Sequence, residues 1–533
     1  MLNQDVCSKK INLRETVLGI ELGSTRIKAN LINKEHKVVG SGSYQWENQL
    51  INGIWTYSLE QVKLGLQSCF SSLKDNVLKE YGIELTTVGA IGISGMMHGY
   101  LPFDNAGNQL TEFRTWRNTI CSQSAAILTS CLNANIPQRW SAAHLYQAVL
   151  NNEDHVDKID FLTTLSGYIH WKLTGEKVLG IGDASGMFPI DSLSMDYDGT
   201  MLDKFQALVE SKGLNLCLQN ILPKVLKAGD CAGYLSEEGA LFLDPSGTLQ
   251  PGVPCAPPEG DAGTGMVATN AVKTGTGNIS AGTSAFAMIV VDRSLGCHRE
   301  LDMVTTPSGR PVAMVHCNNC SSDINAWVDL FAEFAAKIGA ETEKNQLFKL
   351  LFNSALDGEA DCGKLSSFNY ISGEGITDVN SGRPLFIRGE NSHFTLANFM
   401  RAQLYSSIAT LKIGMDIITS EENLQIEKLY AHGGLFNTPI VVQSFLSAAL
   451  AVPVTVMDTA GEGGPYGMAL LAAYMMWRKE NQSLEDYLEE NVFSEAESSE
   501  IMASGEDIAG FNGFIENYKR ALSVEKMAIE AVK

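Results

Sequence analysis

A short device occurs twice in this chain, and it limits the fold more than any other feature. Residues 19–32 read GIELGSTRIKANLI and residues 277–292 read GNISAGTSAFAMIVVD. Each is an apolar strand, a turn of Gly and hydroxyl residues, and a second strand rich in β-branched or apolar residues. Each is followed, after helical material, by another strand running into a Gly turn: VGAIGISGMMHGYLPFD at 88–104 and IEKLYAHGGLFNTP from 426. A repeated order of this kind predicts a duplicated fold. Strands alternating with helices predict α/β domains with ligands near the strand ends.

At 533 residues the chain is longer than one core serves, so two domains are expected, at 1–265 and 266–533. The Pro/Gly-rich stretch LDPSGTLQPGVPCAPPEGDAGTG (243–265) is the expected hinge. Two helices are expected beyond it. One covers 321–339, with Ile324, Trp327, Phe331, Phe334 and Ile338 on a core-facing stripe. The other covers 396–418, with Leu404, Ile408, Leu411 and Met415. The charged segment from 479 onward is expected to form peripheral helices.

A net charge of −22 without a Lys/Arg block argues against a nucleic acid or an anionic membrane as partner. An anion must then be bound locally, by backbone N–H groups in Gly-rich turns. Neither a signal-peptide core nor an apolar run of roughly 18 residues is present, so the cytoplasm is the expected location. Cys297-His298 and HCNNC (316–320) lack the paired spacing of a zinc site, and the eleven cysteines read as reduced, mostly buried thiols.

Gly23-Ser24-Thr25 alone could be a hairpin turn or a phosphate cradle, since both use small and hydroxyl residues. Its pairing with Gly282-Thr283-Ser284 favours the cradle, one per domain, with Lys28 beside the first. No G-x-x-x-x-G-K-[ST] loop is present, which excludes a Walker-type site. Asp261, in EGDAGTGM, is either a turn former or a general base for a substrate hydroxyl; its position between the two cradles favours the base.

Taken in order, these segments resemble the FGGY family of carbohydrate kinases, in local motifs the kinases of ketopentoses such as xylulose and ribulose. The resemblance implies two actin-like (ribonuclease H-like) domains with a catalytic cleft between them, the first binding sugar and the second nucleotide. GIELGSTRIKA and GTGNISAGTSAF match the two phosphate motifs, and AHGGLFNTP the adenosine motif, implicating Gly433, Gly434 and Asn437. AIGISGMMHGYLPFD resembles the xylulokinase segment that meets the sugar, so Met97 and His98 are expected along it, with Trp116 and Arg117 nearby. EGDAGTGMVA matches the segment of the catalytic Asp, here Asp261. LSGYIHWKLTGE followed by GDASGM resembles the first-domain signature, and GEGGPYGMALLAA the helix that closes the adenosine pocket.

Two departures matter. Glu21 stands where the family has an Asp expected to hold Mg²⁺ through water, and Met96 stands where xylulokinases have Gln. Arg117, in TWRNT, leans towards ribulokinases while His98 leans towards xylulokinases. The expected reaction is ATP- and Mg²⁺-dependent phosphorylation of a ketopentose at its terminal hydroxyl, with a homodimer as one option for assembly. Alternatives are a kinase of another polyol or sugar acid, an actin-like ATPase switch, and a degenerate kinase in which Glu21→Asp would raise turnover.

Overall fold

The computed structural model describes residues 11–457 and 463–532, which fall into two units. Among the described residues the first comprises 11–272, 303–312 and 463–495; the second comprises 273–302, 313–457 and 496–532.

The first unit is built on a five-stranded sheet. Its strands are β1 (Val17–Leu22), β2 (Arg26–Ile32), β3 (Val38–Gln45), β4 (Ala90–Gly95) and β5 (Glu259–Gly260), in the order β5-β4-β1-β2-β3. β1 and β2 form the antiparallel hairpin that the first repeat predicts, and β4 runs parallel to β1 with Leu22 opposite Gly95. β5 is parallel to β4, with Gly260 opposite Gly95. Three parallel strands therefore end at one level. Apolar β1 and β4 residues are buried on both sides, as a central strand requires. Helix α1 (Leu59–Tyr81), started by the Ser58 side chain and ended by Gly82, packs on β3. α2 (Leu165–Thr174) and α3 (Asp261–Ala268) complete the frame of the site.

The second unit repeats the plan in a seven-stranded sheet, of which residues 303–305 and 311–312 are counted with the first unit. Its strands are β6 (Thr276–Ala281), β7 (Ala285–Val290), β8 (Leu301–Thr305), β9 (Pro311–Cys317), β10 (Lys428–His432), β11 (Val454–Met457) and β12 (Ser498–Ile501). Their order is β8-β9-β7-β6-β10-β11-β12. β6 and β7 form the second hairpin, and β10 is parallel to β6, with Ser280 opposite His432. Helices α4 (Ser322–Lys337), α5 (Lys344–Ser354), α6 (Leu396–Asp416) and α7 (Val441–Leu450) belong to this unit. The chain then returns to the first unit as α8 (Gly463–Trp477), which packs on β1, β4 and α3. α9 (Gly505–Ala531) closes the second unit.

Three expectations change. The stretch 243–265 is not the boundary between the units: it lies inside the first and runs through β5 into α3, with the Ala256 N–H donating to the Ile91 carbonyl at 2.9 Å. Its Pro and Gly residues supply the turns that lead into a short edge strand. α4 is a helix as expected, but its stripe is not core. Ile324 and Val328 in the first two turns are buried, whereas Phe334 and Ile338 are 62% and 63% exposed. α9 is not merely peripheral, since Phe511, Phe514 and Tyr518 are buried. α8 is a buried helix of the first unit, apolar around its whole circumference; Gly461 and Glu462 of its motif lie outside the described residues.

Candidate active site

The coincident ends of β1, β4 and β5 bring three segments together. Leu22 accepts from the Met96 N–H at 3.0 Å, and Asp261 Oδ1 accepts from the Met97 N–H at 3.2 Å. Ligands of open α/β sheets gather at such carboxyl ends. Asp261 is the first residue of α3, half-buried, and burial pushes its carboxyl up to about 6. Glu21, on β1, is also half-buried; burial and then the Asp261 charge push it up to about 7, against the opposing pull of Lys28 across the hairpin. Its carboxylate lies against Gly464 of α8, where a Cβ atom would fall on Oε1.

Behind Asp261 lie two buried carboxyls that sequence reasoning did not single out. Asp183 Oδ2 accepts from the Thr164 hydroxyl at 2.7 Å and from the Ser166 hydroxyl. Glu259 Oε2 accepts from the Asp183 N–H at 2.9 Å. Burial pushes Asp183 up to about 7 and Glu259 up to about 8. Asp183 stands in GDASGM and Glu259 in EGDAGTG, both quoted as motifs. What pattern could not supply is their burial side by side.

Met97 and His98 are buried, and His98 adopts a left-handed backbone, φ 68°. Its Nδ1–H donates to the Gly186 carbonyl at 3.0 Å and its ring stacks on Trp140, centroids 6.1 Å apart. A carbonyl can only accept, so Nδ1 carries the proton in this bond. Trp116 Nε1–H donates to the Ser24 hydroxyl at 3.2 Å, whereas the Arg117 guanidinium lies 4.1 Å above the Trp55 ring.

The two Gly-hydroxyl turns share a construction. In the first, the Gly23 carbonyl accepts from Trp46 Nε1–H at 2.7 Å and the Ser24 carbonyl from the Tyr57 hydroxyl. In the second, the Gly282 carbonyl accepts from the Ser321 N–H at 3.0 Å and its hydroxyl at 2.7 Å, and the Thr283 carbonyl from the Cys320 N–H at 3.0 Å. A trans peptide points its N–H opposite to its carbonyl. Tying the carbonyls therefore turns the N–H groups of Ser24, Thr25, Thr283 and Ser284 the other way, as an anion cradle needs.

Beside the second turn is a cavity of about 530 Å³ whose lining includes Gly282, Thr283, Ser321, Asn325, Gly434 and Asn437. Phe348 and Phe352 of α5 give it an apolar wall that the sequence reading missed. Gly433, φ 105°, ends β10 so close to β6 that a Cβ would strike the Ala281 carbonyl. The cysteine cluster is separate: Cys317 and Cys320 are buried, and His298 pairs with Glu422 at 2.7 Å. Among the described residues no group of three or more His, Cys, Asp or Glu side chains is arranged to hold a metal.

Glu21, a hard carboxylate whose proton affinity the neighbouring Asp261 charge raises, nevertheless suits Mg²⁺, which takes one or two carboxylates and completes its shell with water and phosphate.

Comparison with known proteins adds the lineage. Residues 16–267 match the model of the N-terminal domain of the FGGY family of carbohydrate kinases, and 277–476 match that of its C-terminal domain. A xylulose kinase of Haemophilus influenzae is 23% identical over 486 residues, 84% of this chain and 91% of the relative. In structure the chain is similar to a xyloylose kinase from Brucella ovis (TM-score 0.77, 18% identity, 97% of this chain and 100% of that one). It is equally similar to a gluconate kinase from Lactobacillus acidophilus (TM-score 0.77, 17% identity, 96% and 98%).

Proposed function

We propose that this chain, which belongs to the FGGY family of carbohydrate kinases, phosphorylates a ketopentose of the xylulose type at its terminal hydroxyl, with ATP as donor. The observation that carries the proposal is Asp261: a carboxylate at the carboxyl ends of three parallel strands, held by the Met97 N–H and beside Glu21. The sugar lies along Met97 and His98, with Trp116 and Arg117 at its rim. The substrate class draws on the xylulose kinase relative.

Asp261, ionised at neutral pH, accepts the hydroxyl proton while the sugar oxygen bonds to the γ-phosphorus and the bond to the departing ADP oxygen breaks. N–H groups of Ser24, Thr25, Thr283 and Ser284 donate to the phosphoryl oxygens, aided by Lys28. Adenosine occupies the cavity at Gly434 and Asn437, under Gly433. Mg²⁺ would be held through water by Glu21 and would supply positive charge to the phosphates. The cytoplasm is the compartment proposed for this reaction.

The test is ADP release with Mg-ATP across D-xylulose, L-ribulose, D-ribulose, L-xylulose, glycerol and gluconate, with Asp261→Asn in parallel. Strong stimulation by one ketopentose, lost in the variant, is the expected result. Stimulation by glycerol or gluconate instead transfers the assignment to a polyol or sugar-acid kinase, as the gluconate kinase neighbour makes worth testing. Hydrolysis that ignores every sugar and survives Asp261→Asn overturns the proposal in favour of an ATPase switch.

A further inference from the structure

The HCNNC segment and Ser321 after it are held by a dense set of hydrogen bonds. Cys320 and Ser321 tie down the carbonyls of Thr283 and Gly282, as described above. The two residues before them are held in turn by a buried carboxylate. Glu374 Oε2 accepts from the Asn318 N–H at 2.9 Å and from the Asn319 N–H and Nδ2–H, each at 3.2 Å. Asn319 Oδ1 accepts from the N–H groups of Ile371 and Ser372 at 2.9 and 3.0 Å. Asn369 Nδ2–H donates to the Cys320 carbonyl at 2.8 Å, and Asn318 Nδ2–H to the Gly373 carbonyl at 2.9 Å.

Glu374, Asn319 and Asn369 are 1%, 4% and 2% exposed, so water cannot substitute at small cost for the bonds these three make to one another and to the buried backbone. The segment 318–321 is thus fastened on one side to 369–374 and on its other side fastens the turn 282–284.

We propose that Glu374 is a positioning residue for the phosphate turn: through Asn318 and Asn319 it sets the backbone of Cys320 and Ser321, which aims the Thr283 and Ser284 N–H groups at the phosphates of the nucleotide. This rests on the nucleotide assignment above. It separates two parts of the site that share one cavity. Phe348 and Phe352 stand on α5, apart from this network, and contact the adenosine end. Glu374 governs only the phosphate end. A buried acceptor of three N–H bonds acts by geometry, so Gln, which keeps a carbonyl oxygen in the same place, preserves more of it than Ala.

The experiment measures equilibrium affinity for ATP, ADP and adenosine by calorimetry in the whole protein, for the parent, Glu374→Ala and Glu374→Gln. Expected for Glu374→Ala is a loss of about tenfold or more for ATP and ADP, the size that a few misdirected hydrogen bonds produce, with adenosine changed less than about twofold. Glu374→Gln is expected to recover most of the loss. Equal loss for adenosine and ADP, or unchanged ADP affinity in Glu374→Ala, overturns the inference.

If Glu374→Ala does not fold, Ser321→Ala, which deletes only the hydroxyl on the Gly282 carbonyl, must reproduce the phosphate-selective loss; failure to do so overturns it equally. A parent protein that binds none of the three ligands refutes the nucleotide assignment instead, and the two failures are thereby distinct.

Discussion

At the scale of single residues, the carboxyls around Asp261 set the pH range expected of the proposed chemistry. A general base acts in its ionised form, and burial raises Asp261 to about 6. The sugar-dependent kcat/KM is therefore expected to fall as pH drops through about 6, some two units above where an exposed Asp loses its charge. Asp261→Asn keeps an oxygen for the Met97 N–H, so it should fold normally and lose about a thousandfold in kcat. Glu21 gives a second expectation. Its carboxylate rests against Gly464, a place with room for no Cβ, so the longer side chain is matched by the helix that faces it. Glu21→Asp withdraws the carboxylate from that contact and is expected to raise the Mg²⁺ concentration needed for half-maximal activity. Higher turnover in Glu21→Asp would instead mark the site as degenerate.

At the scale of elements, the hairpins and the turn after β10 separate glycines that are required from those that are only useful. Gly433 combines φ 105° with an approach to the Ala281 carbonyl that excludes a side chain. Gly433→Ala should cost about 2–4 kcal/mol in a urea titration, from strain and overpacking together. Gly434 has no atom within 4 Å of an added Cβ and lines the cavity. Gly434→Ala should leave stability within about 0.5 kcal/mol of the parent and weaken adenosine binding. Pattern alone located both hairpins and the strands beside them, because alternation and turn residues are local signals. It misjudged α4: periodicity gave the helix, but only neighbours determine which turns are covered, and Phe334 and Ile338 are left outside.

At the scale of the whole molecule, the buried carboxyls act together. Glu21, Asp183, Glu259 and Asp261 are raised to about 7, 7, 8 and 6, all chiefly by burial. A group that holds its proton more tightly when folded contributes stability that is whole below its unfolded value, near 4, and is lost as pH rises through its folded value. All four have the same sign. The urea midpoint should therefore fall between pH 5 and pH 9, and saturating Mg²⁺ should lessen the part due to Glu21. A midpoint that rises over this range would mean that these carboxyls are not buried as described. No helix among the described residues is long and apolar enough to cross a membrane.

The chain's own order of residues determined the duplicated hairpins, the α/β class and the motifs that mark Asp261, Met97, His98 and the two turns, since each depends on neighbours close in sequence. Tertiary structure alone decided that α8 returns to the first unit and that Glu259 and Asp183 stand buried behind Asp261. It alone decided too that the end of HCNNC, with Ser321, clamps a turn nearly forty residues away. Burial and hydrogen-bond partnership join residues far apart in the chain, and no local pattern encodes which distant groups will share a dry interior.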